Sequence, residues 1–406
     1  MPRLFPLGRY PNGYRRQRFA IALLSLLALA PDAAAGGRRC ACDVQLGKLD
    51  PTQVPAALRP AEKLPEIVAA FDVGERPITA LEFVGFAGEN LAVAEFGPAR
   101  RGEGKPGRLL LYDLAGKAPR QKATLDASAD MVVGLSAGSM TGDPLVTGGG
   151  RWDQSVKIWR QAGETWEQVK SVPLSSPWWP RAVAFSPREK VLATTTGDKT
   201  GPVQLWSMES RGKALEPAGV LPGPAWGVSA LAFSPGGQFL AAGLGSQHRH
   251  PSDGQMLVWD LSASPPKLVH QATGLDEKHA KQPGDITSLM FLGSGSTLVS
   301  GDQHGMLRTW RVSKSGGLEP AAKVQAHQGS VRGIAAGPDG EILSTGDDGC
   351  LVFWKPEENK LRRVRIGEGG IELAAAPSGR HFALGLTNGT VYILRMEAPE
   401  DRAAKE

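Results

Sequence analysis

Three histidines in polar connections, His248, His250 and His279, stand near Asp276 and Glu277, and side chains of these types can bind a metal or exchange protons. The plain reading is that these are solvated loop residues, because only their spacing supports a site, and no metal or cofactor is assigned. His327, Ser344 and Asp348 are the residue types of a hydrolytic triad. Gly134-Leu135-Ser136-Ala137-Gly138 has the spacing of a nucleophile elbow, and residues 102–107 have that of a dinucleotide-binding turn. Both motifs need a strand that turns directly into a helix, and no amphipathic helical period follows either one. No His-Glu-x-x-His and no Walker loop occurs. No catalytic group therefore has the context its chemistry requires.

The elements that must position these residues are strands. Short apolar runs ending in an aromatic recur along the chain: Leu109-Leu110-Leu111-Tyr112, Val156-Lys157-Ile158-Trp159, Val203-Gln204-Leu205-Trp206, Met256-Leu257-Val258-Trp259, Leu307-Arg308-Thr309-Trp310, Leu351-Val352-Phe353-Trp354 and, more weakly, Val391-Tyr392-Ile393-Leu394. Successive anchors are 40 to 53 residues apart, which marks a repeat rather than unrelated strands. Two further strands precede most anchors, joined by Ser-Pro-Gly turns; Ala230-Leu231-Ala232-Phe233-Ser234-Pro235-Gly236-Gly237 followed by Phe239-Leu240-Ala241-Ala242-Gly243 is the clearest case. Six residues before four of the anchors stand Asp153, Asp253, Asp348 and Asn388, residues that cap their own backbone in tight turns.

With its Phe-Ser-Pro turns and its Trp259-Asp260 pair, the stretch from about residue 65 to 398 resembles the WD-repeat (WD40) propeller family, as a diverged member. The resemblance implies an all-β, seven-bladed β-propeller of four-stranded antiparallel blades. It also implies that His327, Ser344, Asp348 and Trp354 form the hydrogen-bonded tetrad by which the family ties a blade together, a structural role rather than a chemical one. The seventh copy ends near Arg395 with only three strands made, so its fourth must come from elsewhere. Residues 66–73 read as an isolated strand ahead of the first copy and can close the last blade from the N-terminal side, leaving no open sheet edge in the ring. Deleting residues 36–75 is expected to give an aggregated product.

Outside the repeats, residues 1–35 read as a secretory leader: Arg15, Arg16 and Arg18 precede an apolar run at 20–30, and Ala33, Ala34 and Ala35 suit cleavage. Residues 36–64 read as a linker and 399–406 as a charged tail. The leader holds five basic residues and one acidic one. The remainder carries 41 basic and 40 acidic residues, a formal charge of +1, which gives no electrostatic reason to bind nucleic acid or an anionic membrane. Three cysteines, Cys40, Cys42 and Cys350, make no disulfide framework. The expectation is an exported monomer, periplasmic or extracellular, without integral membrane association.

Binding is expected where insertions lengthen loops on one face of the ring, the top face, which collects the connections between the second and third strands and between blades. One such loop carries Arg100 and Arg101, another His248 and His250. Of ten tryptophans, five are anchors; Trp152, Trp178, Trp179 and Trp226 fall in top-face connections, and Trp166 sits on an outer strand. Aromatics at a depression are favoured anchors for protein partners, although Trp178, Trp179 and Trp226 could equally fill the channel mouth as packing. The leading expectation is a non-catalytic scaffold holding a protein or peptide partner. The competing one is a propeller enzyme or small-ligand or metal binder at the central channel, using His248, His250, His279 and Asp276 or Glu277.

Overall fold

A computed structural model describes residues 44–45, 65–74, 76–85, 88–97, 106–116, 118–138, 144–150, 152–174, 180–187, 190–196, 203–208, 215–222, 227–245, 254–273, 284–367 and 371–396. The described strands form seven sheets. Each contains four antiparallel strands, here lettered a to d in spatial order, making blades one (78–128), two (132–173), three (180–220), four (228–273), five (286–325), six (331–365) and seven (371–395 with 66–72). Strands a of successive blades are neighbours all the way round, and that of blade seven returns to that of blade one. The a strands therefore line the centre and the d strands the rim.

Burial explains why each position reads as it does. Strand b of blade four, Phe239–Leu244, is buried at every residue, because its two faces meet the blades on either side, and so it is a continuous apolar run with small residues where blades touch. At Gly301 on strand b of blade five, a Cβ would come 2.6 Å from Val331 Cγ1 of blade six. Strand d of blade five, Leu318–Gln325, is buried only at Leu318 and alternates exposed with half-buried positions from Ala321 to Gln325, as a rim strand with one wet face should. The aromatic anchors Trp159, Trp206, Trp259, Trp310 and Trp354 are all buried. Clusters that contain them join residues of neighbouring blades: Trp310 packs with Val258 and Ile286, and Trp259 with Val228 and Leu205. Truncating such a tryptophan to alanine costs about 3–5 kcal/mol.

The ring closes with a strand from the N-terminal side. Glu66–Asp72 pairs antiparallel with Thr390–Arg395, from Glu66 opposite Arg395 to Asp72 opposite Thr390. The seam is fastened by Arg395 Nη2 to Glu66 Oε2 at 2.5 Å and by Val73 N donating to Gly389 O at 3.0 Å. Phe71 rests on Tyr112 of blade one, ring centroids 4.7 Å apart. Blade six differs from the others in carrying a fifth strand: Val44–Gln45, inside the stretch read as a linker, pairs parallel with Val364 and Arg365. Among the described residues no helix is long and apolar enough to cross a membrane.

Candidate functional site

At the top of blade two, two connections are locked together by short polar side chains. Ser128 Oγ donates to Asp130 Oδ1 (3.1 Å), and Asp130 Oδ2 accepts from Trp152 N (3.0 Å). Gly150 lies so close to this carboxylate that a Cβ would fall 2.7 Å from Asp130 Oδ1. Asp153 fastens the next position, accepting from Ala129 N at 2.9 Å, from Lys157 Nζ at 2.6 Å and from the Ser155 hydroxyl. Burial alone would raise the Asp153 pKa; the hydrogen bonds from Lys157, Ser155 and Ala129, with the Lys157 charge, outweigh it and hold the carboxyl below its ordinary range. The outcome is a rigid turn that presents Trp152 with 42% of its surface in solvent. A large exposed indole on a fixed backbone can give contact area at little entropic cost.

The other residues singled out for partner binding, Arg100, Arg101, Trp178, Trp179, Trp226, His248 and His250, lie outside the described residues, as do His279, Asp276 and Glu277. Trp166 is buried against the core shared by blades one and two. Among the described residues no three His, Cys, Asp or Glu side chains are grouped so as to hold a metal ion.

In blade six, His327 Nδ1 lies 3.0 Å from Asp348 Oδ1 and His327 Nε2 lies 2.8 Å from Ser344 Oγ. Asp348 also accepts from Gln328 N at 3.0 Å and Cys350 N at 3.1 Å. Burial would raise the Asp348 pKa, yet the hydrogen bond and charge of His327 and the two backbone donors bring it below the usual carboxylate range. The connectivity matches a hydrolytic triad, but the surroundings do not: His327 is 1% exposed and Ser344 0%, and Trp354, which pairs with Ile342 on the neighbouring strand, is 1% exposed. A nucleophile must meet its substrate, and this hydroxyl meets only protein. In blades two, three and five the anchor indole donates to a hydroxyl on strand b, Trp159 to Thr147 at 2.9 Å, Trp206 to Thr194 at 2.8 Å and Trp310 to Ser300 at 3.0 Å. Ser136 of the elbow-like motif lies within strand a of blade two, Val132–Ala137, where its hydroxyl accepts from Phe185 N of blade three at 3.1 Å.

Sequence reading missed two carboxylates on the inner strands. Glu82, half-buried on strand a of blade one, is pushed up to about 8 by loss of water, partly offset by a hydrogen bond from the Ala137 backbone. Glu372, on strand a of blade seven, is raised to about 7 by burial, with Arg332 lowering and Asp347 raising it. Arg332 Nε donates to Asp347 Oδ1 at 2.6 Å. The two glutamates belong to different junctions, between blades one and two and between blades six and seven. Their signal was available: each is a charged residue in a strand that is otherwise almost wholly uncharged.

Residues 215–260 and 318–355 match the family described as WD domain, G-beta repeat. The chain is similar to the small ribosomal subunit protein RACK1y of Oryza sativa subsp. japonica, 32% identical over 41% of this chain and 44% of that protein. It is similar to a 77 kDa echinoderm microtubule-associated protein of Lytechinus variegatus, 25% identical over 67% of this chain and 37% of that one. A stretch covering 35% of this chain is 27% identical to 14% of a type II inositol polyphosphate 5-phosphatase 15 of Arabidopsis thaliana. The chain thus spans less than half the length of each of these relatives.

Proposed function

The chain belongs to the WD-repeat β-propeller family, and from that premise we propose that it is a non-catalytic scaffold that holds a protein or peptide partner on its top face. The single observation that carries this reading is Trp152, exposed on a turn fixed from both sides by Asp130 and Asp153. Burial of His327 and Ser344, with the Asp348 side chain 5% exposed beside His327, supports it from the other direction. Two of the relatives are named for association with larger assemblies, microtubules and the small ribosomal subunit, and holding is the role proposed here. Arg100, Arg101, His248 and His250 would supply polar contacts around the aromatic anchor, and Trp178, Trp179 and Trp226 further anchors. Export to the periplasm or the exterior, as a monomer, belongs to the same proposal and rests on the leader-like pattern of residues 1–35.

The experiment is affinity capture from the exported fraction with the wild-type chain, with Trp152→Ala, and with the Trp178/Trp179/Trp226 triple alanine variant. Loss of a stoichiometric partner with Trp152→Ala, at unchanged melting temperature, is the expected result. An unaltered catch with both variants would remove the top face from consideration. A second reading, a small-ligand or metal binder at the channel, would use His248, His250, His279 and Asp276 or Glu277; stoichiometric metal lost on changing His248 and His250 to alanine would support it over the first.

A further inference from the structure

The junction of blades four and five and the junction of blades seven and one are built from matching positions, but only the first is filled. In blade four Phe239 stands opposite Asp260 and Val258 opposite His270, with Val269 as the bulged residue of strand d. In blade seven the same places hold His381 opposite Arg395 and Ile393 opposite Ala69, with Val68 as the bulged residue of the closing strand. Blade five lays its c–d turn on Phe239 and Val269: a Cβ on Gly316 would come 2.6 Å from Val269 Cγ2 and 2.9 Å from Phe239 Cε1. Blade one keeps its c–d turn away. Within 4 Å a Cβ on Gly116 would meet only atoms of Ala118, Val68 is left 39% exposed, and both border a cleft of about 350 Å³.

Phe83, Leu114 and Ile393 wall this cleft with apolar surface, and Glu89, His381 and Arg395 border it with polar groups. Arg395 is already joined to Glu66, whereas the His381 ring makes no hydrogen bond among the described residues. Burial, and then the Arg395 and Arg380 charges, lower the His381 pKa. At neutral pH the ring is therefore uncharged and offers one N–H donor and one nitrogen acceptor. A hydroxyl can meet either nitrogen. A cavity of about 150 Å³ lined by aliphatic and aromatic side chains takes up benzene, so this cleft has room for a ring with a short alkyl chain. We propose that the cleft between blades seven and one is a binding site for a small uncharged phenol, its ring against Phe83, Leu114 and Ile393 and its hydroxyl on His381. A carboxylate would stand beside Glu89 and an ammonium beside Arg395, so a net charge of either sign is disfavoured. Such a ligand touches the closing strand on one side and blade one on the other, and it braces the ring where it is sealed. Because a–b and c–d turns border the cleft, it opens on the face away from Trp152 and is separate from the proposed partner site.

The test titrates the full chain with para-propylphenol and with para-propyltoluene, which lacks the hydroxyl. One-to-one binding of the phenol is expected, about tenfold or more tighter than that of the toluene, because the apolar analogue leaves the imidazole unanswered. His381→Phe copies Phe239 of blade four into the cleft and is expected to abolish binding of both probes at an unchanged or raised melting temperature. His381→Leu, close to histidine in size, is expected to bind the two probes alike, and His381→Gln, which again donates and accepts, to restore the preference for the phenol. Saturating phenol is expected to slow amide exchange in Glu66–Asp72 about threefold or more in wild type and not in His381→Phe. Trp152→Ala is expected to leave the phenol affinity unchanged, so this site and the partner-binding one stand or fall separately. Absence of phenol binding to wild type, equal affinity for the two probes, or undiminished binding to His381→Phe would each overturn the proposal. Tighter binding of N-acetyltyrosine amide than of para-propylphenol would assign the cleft to a protein side chain and overturn it as well.

Discussion

In blades five and six the serine stands in the same place, Ser300 and Ser344, ten residues before the anchors Trp310 and Trp354. The acid does not. Blade six carries it six residues before the anchor, as Asp348 in the turn, and joins it to His327. Blade five carries it eight residues before, as Asp302 at the end of strand b, Thr297–Asp302, and joins it to Arg308 on strand c, Nη1 to Oδ2 at 2.5 Å. Asp302 also accepts from His304 N at 2.8 Å and Met306 N at 3.0 Å. Blade two uses Asp153 and Lys157, and blade one Glu95 and Arg108. The difference teaches that in these four blades a carboxylate ties the b–c connection, and that a histidine or a strand-borne cation can serve as its partner. The histidine version is what makes blade six resemble a known motif. The fold does not depend on it.

The comparison breaks most readily at the ion pair. Asp302 and Arg308 are both buried, and Arg308 Nη2 already lacks a hydrogen-bond partner. Asp302→Ala leaves a guanidinium without its counter-charge, a change that costs about 3–5 kcal/mol. Replacing the pair together, Asp302→Leu with Arg308→Met, is expected to recover part of that, because neither charge then has to be desolvated, while the His304 and Met306 N–H groups stay without their acceptor. Denaturant midpoints for the two variants decide the matter. If Asp302→Ala loses under about 1 kcal/mol, blade five is not tied by this pair.

Blade six should lose less, and with a pH signature. Asp348→Asn removes the charge from a carboxylate that accepts from His327, Gln328 N and Cys350 N, at a cost of about 1–3 kcal/mol. Because the folded pKa of Asp348 is lowered, protons bind the unfolded chain more tightly. The stability it contributes is therefore fully present above the ordinary carboxyl pKa and is lost as pH falls through the depressed value. The gap between wild type and Asp348→Asn should be constant from neutral pH down to about 4 and then close on further acidification. A gap that widened toward acid would reverse the assignment.

How much of this was legible follows the same division. Strands, anchors and the closing strand were readable because their pattern is set by burial between repeated neighbours, and seven copies repeat the signal. The sequence also brought His327, Ser344 and Asp348 together through the family resemblance. Asp302 and Arg308 were not legible as a pair: the acid lies in the strand, where no turn signature marks it, and its partner is chosen by cross-strand register. Trp152 could be marked only as an aromatic in a connection; that its backbone is held by Asp130, 22 residues earlier, needs three dimensions. The fifth strand was hidden for another reason. Two residues in a stretch without periodicity carry no pattern, and the unbulged rim that accepts them appears only in the register of Cys350–Lys355 against Lys360–Arg365.

The smallest expected effect concerns the indole under each blade top. In blades two, three, five and six the strand-b residue paired with the anchor is Leu145, Leu192, Leu298 or Ile342, and two positions further stands a hydroxyl, Thr147, Thr194, Ser300 or Ser344. In blade four the paired residue is Leu240 and the corresponding position is Ala242. Strand b there has no hydroxyl at all, and Trp259 Nε1 donates instead to Pro222 O at 2.6 Å. Ser300→Ala strands a buried N–H and is expected to cost about 1–2 kcal/mol. Ala242→Ser offers a hydroxyl to an indole that already has a carbonyl, so it gains no bond and must bury a new polar group, and a loss of about 1 kcal/mol or more is expected. If Ala242→Ser instead stabilised the chain, the carbonyl would be a poor substitute for the hydroxyl, and blade four would be a weakened copy rather than an equivalent solution.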